Sequence, residues 1–183
     1  MIKPTPPKGQ TIYREERFSL RSCELTFGAA HIERRAVVIH HGSVVILPLT
    51  TDGQVVLIEN KRWQIGCRIL ELPAGTMARA EDPITCASRE LLEETGYQAG
   101  QLDYLQSIYA LPGLSTEVMH IYVARDLEWV GQSLEQDEDI QVRLTPLEEI
   151  HQLILDGAIL DGKTLAVLSS FLLRHADIKE TAE

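Results

Sequence analysis

The stretch that most constrains the fold is residues 75–97, because it specifies a helix at both ends and on both faces. Asp82-Pro83 reads as a start: an Asp N-cap accepts backbone N–H groups that lack a partner within the helix, and Pro fits the first helical position, where its missing N–H is not needed. Gly96 reads as the stop, since glycine enters the left-handed conformation that ends a helix without a Cβ clash. At about 100° per residue, Ile84, Ala87, Leu91 and Thr95 fall on one face, and Glu90, Glu93 and Glu94 on an arc well away from it. The first face predicts packing on a sheet. The second predicts converging carboxylates.

That convergence is unfavourable by itself, because like charges four residues apart, as in Glu90 and Glu94, cost on the order of a few tenths of a kcal/mol and only Arg89 is close enough to offset them. A divalent cation reverses the sign. Oxygen ligands without His or Cys point to Mg²⁺, with Mn²⁺ second, and Mg²⁺ commonly comes with substrate phosphates. Three glutamates on a helix also make an ordinary solvated acidic face, so the wider spacing has to decide. Gly75, Glu81, Arg89, Glu90, Glu93, Glu94 and Gly96 are seven fixed positions; at roughly 6% each, a chain of this length would match them by chance on the order of once in a million.

Position for position, with Leu91 and Tyr97 included, the stretch is similar to the signature of the Nudix hydrolases, which split a nucleoside diphosphate linked to another group. The resemblance implies an α/β Nudix fold, an α/β/α sandwich with a mixed sheet. It also implies Mg²⁺ held by Glu90, Glu94 and Glu93 with the backbone carbonyl of Ala74, and an Arg89 that orients the glutamates by ion pairing. Gly75 would permit the close backbone approach this requires.

Finer resemblances concern the substrate. Glu71-Leu72-Pro73-Ala74-Gly75 looks like the entry to this motif in ADP-ribose pyrophosphatases, and Pro112, 15 residues beyond Tyr97, resembles a proline that marks the same enzymes. Glu117, shortly after it, is either structural or a substrate contact. Lys61-Arg62-Trp63 follows an apolar run, where a cation and an aromatic could hold a phosphate and stack a base or ribose. Arg62 falls where sugar-nucleotide members of the family carry a substrate-binding Arg. The acidic loop 131–139 lies where the resembled enzymes place a mobile loop with a catalytic glutamate; Glu138 is the first candidate for the base and Glu135 the second, although one alignment puts Gln136 there.

Around this motif the chain divides into residues 1–40, an N-terminal extension with two or three antiparallel strands and a turn at residues 28–30, and residues 41–183, the main domain. Residues 44–49 and 55–58 are apolar runs joined by a good hairpin turn, Thr50-Thr51-Asp52-Gly53. Residues 104–111, 118–124 and 140–144 predict further strands. Thr145-Pro146-Leu147-Glu148 predicts an N-capped helix, and Gly162-Lys163-Thr164 opens a second. An N-terminal strand ribbon is marginal alone. In the resembled enzymes such strands are exchanged across a homodimer, which implies the same partner here.

Composition excludes several classes. Residues 1–68 carry 10 Lys/Arg against 6 Asp/Glu and residues 69–183 carry 7 against 21, so a +4 first part faces a −14 second part within a net −10. That suits an anionic substrate and its metals and argues against non-specific nucleic-acid binding. No apolar run is long enough for a membrane span and no leader is recognisable, so a cytoplasmic protein is expected. Cys23, Cys67 and Cys86 are expected to be buried thiols. The expected activity is Mg²⁺-dependent hydrolysis of ADP-ribose to AMP and ribose 5-phosphate. The alternatives are another nucleotide sugar, such as GDP-mannose or ADP-glucose, or a non-catalytic module that binds nucleotide sugars.

Overall fold

The computed structural model describes residues 2–28, 31–136 and 138–180. Three strands, β1 (Gln10–Arg14), β2 (Phe18–Phe27) and β3 (His31–His40), form an antiparallel sheet of their own. The turn expected between β2 and β3 lies in part outside the described residues. Next come β4 (Ser43–Pro48), β5 (Gln54–Arg62), β6 (Cys67–Glu71) and β7 (Ala74–Thr76), followed by helix α1 (Pro83–Thr95). Strands β8 (Tyr97–Tyr109), β9 (Val118–Trp129) and β10 (Ile140–Pro146) lead to helices α2 (Leu147–Leu155) and α3 (Gly162–Glu180). One sheet runs β7-β4-β9-β8 and another β10-β5-β6; the β4–β9 pair is parallel and its neighbours antiparallel, so the sheet is mixed.

Every residue of β4 is buried, and side-chain alternation divides them between two cores. Val44 and Ile46 pack with Cys86, Ala87 and Leu91 of α1, while Val45 and Leu47 pack with Ile150 of α2 and Val167, Leu168 and Phe171 of α3. Helices thus cover both faces, which is why the strand reads as an unbroken apolar run. The chain's central layer is the α/β/α arrangement expected, with the extra antiparallel strands at its N-terminus. No helix among the described residues is long and apolar enough to cross a membrane.

Helix α1 begins and ends as its sequence requires. Asp82 Oδ1 accepts the Ile84 N–H at 3.1 Å, and Gly96 sits at φ 77° with its own N–H donating to Leu92 O. The buried stripe is Cys86, Ala87, Leu91 and Thr95. Ile84, expected in that stripe, is 44% exposed: the first turn lies outside the cluster, and Cys86 takes its place there.

Three other expectations are corrected. The runs flanking residues 50–53 reverse at a tight turn, with the Thr50 N–H donating to Gln54 O and a Leu49–Val55 bridge, but they do not continue as a hairpin ladder and belong to different sheets. Each is apolar on both faces, so each takes an interior place in its own sheet, β4 between β7 and β9 and β5 between β10 and β6. Thr145 does not cap α2. It stays paired with Val55 in the β10 ladder, its buried Oγ1 without a partner among the described residues, and Pro146 occupies the cap without a side-chain bond. Cys67 is exposed, at the start of β6, whereas Cys23 and Cys86 are buried as expected.

Candidate active site

Strand β7 and helix α1 meet at a close approach that only glycine allows. A Cβ built on Gly75 would lie 1.9 Å from the Glu90 carboxyl carbon, so the carboxylate occupies the space a side chain would fill. One residue earlier, the Ala74 N–H donates to Glu94 Oε2 at 2.8 Å. Glu90 and Glu94 are therefore seated against backbone, and both are buried, at 8% and 3% exposure. Arg89 gathers the rest: Nη1 donates to Glu90 Oε1 at 2.8 Å and Glu93 Oε2 at 2.9 Å, and Nε to Glu81 Oε1 at 3.2 Å. Bonding to Arg89 holds the Glu81 carboxyl below the usual carboxylate range.

Burial has the opposite effect on the inner pair. It pushes Glu94 up to about 8, against the Ala74 bond and with help from Glu90 and Glu138. It raises Glu90 too, opposed by Arg89. Two buried carboxylates without enough positive charge of their own make a donor set suited to a hard divalent cation. As the side chains stand, Arg89 and Ala74 take several of the oxygens, and among the described residues no three acidic or imidazole groups form a ready-made metal cage.

Glu90 and Glu94 open into a cleft of about 710 Å³. The acidic loop reaches the same cleft with Glu135 and Glu138. It is fixed at both ends: Gln132 Nε2 donates to Glu94 O at 2.6 Å and Ser133 N to Glu93 O at 3.1 Å, while Arg68 holds Asp139 at 2.5 Å. Within it, Glu138 Oε2 accepts the Glu135 N–H at 2.9 Å, and Arg17 lies 3.5 Å from Glu135. Asp137 lies outside the described residues.

Arg62 and Trp63 also line the cleft. The Arg62 fork is taken by Glu71, Nε to Oε1 at 2.7 Å and Nη2 to Oε2 at 2.6 Å, and Trp63 is 81% exposed. Glu117 joins them, accepting the Ser43 hydroxyl at 2.7 Å. Pro112 is not among the described lining residues; it lies in the β8–β9 connection, and the Glu93 side chain is joined to the cluster through Arg89. Sequence reasoning missed Lys163, Arg17 and Ser43, which line the cleft. None has a distinctive local pattern, since each is brought there by strand pairing or helix placement.

Gly75→Ala is a sharp test of this packing. The new methyl meets the end of a flexible side chain, so Glu90 swings aside and the fold survives. Given the cost of misplacing a reacting group by about 1 Å, activity should fall about 100-fold with the melting temperature nearly unchanged, as read by paired kinetic and thermal scans.

The NUDIX domain family model matches residues 39–168, and the chain belongs to the Nudix family. It is 33% identical over 174 residues to the methanol dehydrogenase activator of Bacillus methanolicus, spanning 91% of this chain and 94% of the relative. It is 32% identical over 176 residues to the ADP-ribose pyrophosphatase of Bacillus subtilis, with the same two coverages, 91% and 94%. A GDP-mannose pyrophosphatase of Escherichia coli matches at 32% over 145 residues, 74% of this chain and 75% of that one. The solved structure of an ADP compounds hydrolase superposes with a TM-score of 0.76 at 25% identity, covering 98% of this chain and 97% of the other.

Proposed function

We propose that this protein is a nucleoside diphosphate sugar pyrophosphatase that hydrolyses ADP-ribose to AMP and ribose 5-phosphate with Mg²⁺. The observation that carries this reading is the single cleft shared by two buried helix carboxylates, two loop glutamates and an arginine. Glu90 and Glu94, with Glu93 and the Ala74 carbonyl, would hold the cation. A divalent cation held there would supply charge neutralisation for the diphosphate and acidify the attacking water. Arg89 acts as a positioning residue, keeping the acidic side chains from splaying under their own repulsion.

Glu138 is the base in this reading, taking the proton of the water that attacks phosphorus as the P–O–P bond breaks. Its charge is felt by both Glu90 and Glu94, whereas Glu135 is drawn towards Arg17. Arg62 holds a phosphate oxygen, Trp63 stacks on the base or ribose, and Glu117 contacts the sugar. Pro112 shapes the β8–β9 connection without touching the cleft. The relative that activates a dehydrogenase favours a second reading, action on a protein partner; the full set of buried carboxylates favours hydrolysis. An assay with Mg²⁺ over ADP-ribose, ADP-glucose, GDP-mannose, NADH, Ap4A and 8-oxo-dGTP separates them: ADP-ribose should be turned over fastest, and no turnover on any of them would leave a binding or partner role.

Free thiols suit a cytoplasmic setting. A homodimer exchanging its N-terminal strands would cover Ile12, Tyr13 and Ile32, which stand 54%, 51% and 65% exposed on the three-stranded N-terminal sheet. Sedimentation should give a dimer. A stable, active monomer would remove the exchange.

A further inference from the structure

We infer that Arg68 is a positioning residue for Glu138, clamping the residue that follows it in the chain; this rests on the reading of Glu138 as the base above. Arg68 stands on β6, at the edge of the β10-β5-β6 sheet, and reaches across β5 to the start of β10. Its Nη1 donates to Glu59 O on β5 at 2.6 Å and to Asp139 O at 3.0 Å, and its Nη2 donates to Asp139 Oδ1 at 2.5 Å. The Lys61 N–H donates to the same Asp139 carbonyl at 3.1 Å. Asp139 is thereby fixed through main chain and side chain alike, and Glu138 is its immediate neighbour. Bonding to Arg68 holds the Asp139 carboxyl below the usual carboxylate range, so it stays an ionised acceptor at neutral pH.

At its other end the acidic loop is tied to the last turn of α1 through Gln132 and Ser133. Between these ends, the bonds among the described residues are the two that close the turn from Glu135 to Glu138 and the exposed Arg17–Glu135 pair. The place of Glu138 over the Glu90 and Glu94 carboxylates is therefore set by the two anchors, and Arg68 supplies the one beside the base. Folding stability does not explain the arrangement. The Asp139 side chain is 52% exposed and that of Arg68 27%, and an ion pair in contact with water contributes little to stability. Charge alone does not explain it either: a lysine carries the same charge, but only the planar guanidinium fork meets a carboxylate and two carbonyls at once. What the clamp secures is the position of the chain one residue before β10.

The test is steady-state kinetics on ADP-ribose with Mg²⁺ for wild type, Arg68→Met, Arg68→Lys, Glu138→Gln and the double variant carrying Arg68→Met and Glu138→Gln. Because a small misplacement of a reacting group is costly, Arg68→Met should lose about 10- to 100-fold in kcat with KM within about twofold, and Arg68→Lys should recover part of the loss. In the Glu138→Gln background the same change should cost less than about twofold more, since the placement of an absent base no longer matters. Mn²⁺ binding, followed by electron paramagnetic resonance, should agree within about twofold between wild type and Arg68→Met, because the carboxylate cluster is untouched. Should Arg68→Met fail to fold, Asp139→Ala cuts the clamp from the half-exposed loop side and should lose about tenfold in kcat, again only while Glu138 is present. Wild-type kcat in Arg68→Met, or in Asp139→Ala where that variant stands in for it, overturns the assignment alone. So does a full multiplicative loss in the double variant or weakened Mn²⁺ binding, either of which would make the role structural. Wild-type kcat in Glu138→Gln overturns the base and the assignment with it while the hydrolase reading stands, and a wild-type protein that leaves ADP-ribose intact overturns all three.

Discussion

Glu94→Gln is expected to lower kcat by about three orders of magnitude, the scale of removing one charge-stabilising group from a buried site, and to leave the protein folded. Gln matches the shape of Glu and its amide oxygen still accepts the Ala74 N–H, so the contact between α1 and β7 survives. What is lost is the negative charge offered to the cation. The same change should stabilise the protein in chelator at alkaline pH. The wild-type carboxyl is raised from 4.5 to about 8 in the folded state, so the folded chain holds its proton more tightly than the unfolded one. The resulting stabilisation is complete below about 4.5 and lost as pH rises through about 8. Melting temperatures in EDTA should therefore favour Glu94→Gln increasingly between those limits. A variant with wild-type turnover would remove Glu94 from the metal site.

The second large effect separates the two loop glutamates. Glu138→Gln should cost about 10²- to 10⁴-fold in kcat, the contribution of a general base, while Glu135→Gln should stay within about tenfold of wild type. In the Glu138→Gln variant the new amide oxygen would still accept the Glu135 N–H that closes the loop, so the loss would report the proton acceptor rather than the loop's shape. Glu135 already faces a cation, Arg17 at 3.5 Å, and that partner comes from the turn between β1 and β2. Single-turnover rates for both variants decide it. Two mild losses would move the base elsewhere.

Helix α1 was legible to its caps, because Asp82, Pro83 and Gly96 act through local backbone geometry that the sequence states directly. Glu90 and Glu94 were legible as a pair for the same reason: helical spacing alone puts them on one side. Their burial was not, since it depends on Gly75 being brought alongside by the β4–β7 pairing. The hairpin expected between β4 and β5, which lie in different sheets, marks the same boundary. A turn such as that at residues 50–53 reverses the chain, but which sheet each strand joins is set by the two-sided burial of both, a property of the whole fold. Lys163 was invisible for the opposite reason. A lysine at a helix start reads as solvated until β6 delivers Glu71 beneath it.

Diphosphate hydrolysis in the proposed site depends on the Glu90 and Glu94 carboxylates and a divalent cation. The most direct measurement is incubation of ADP-ribose with the wild-type protein in Mg²⁺ and in EDTA, with products resolved by chromatography. Equimolar AMP and ribose 5-phosphate in Mg²⁺, and neither in EDTA, is the expected result. Intact ADP-ribose in both, or undiminished cleavage in EDTA, would contradict it.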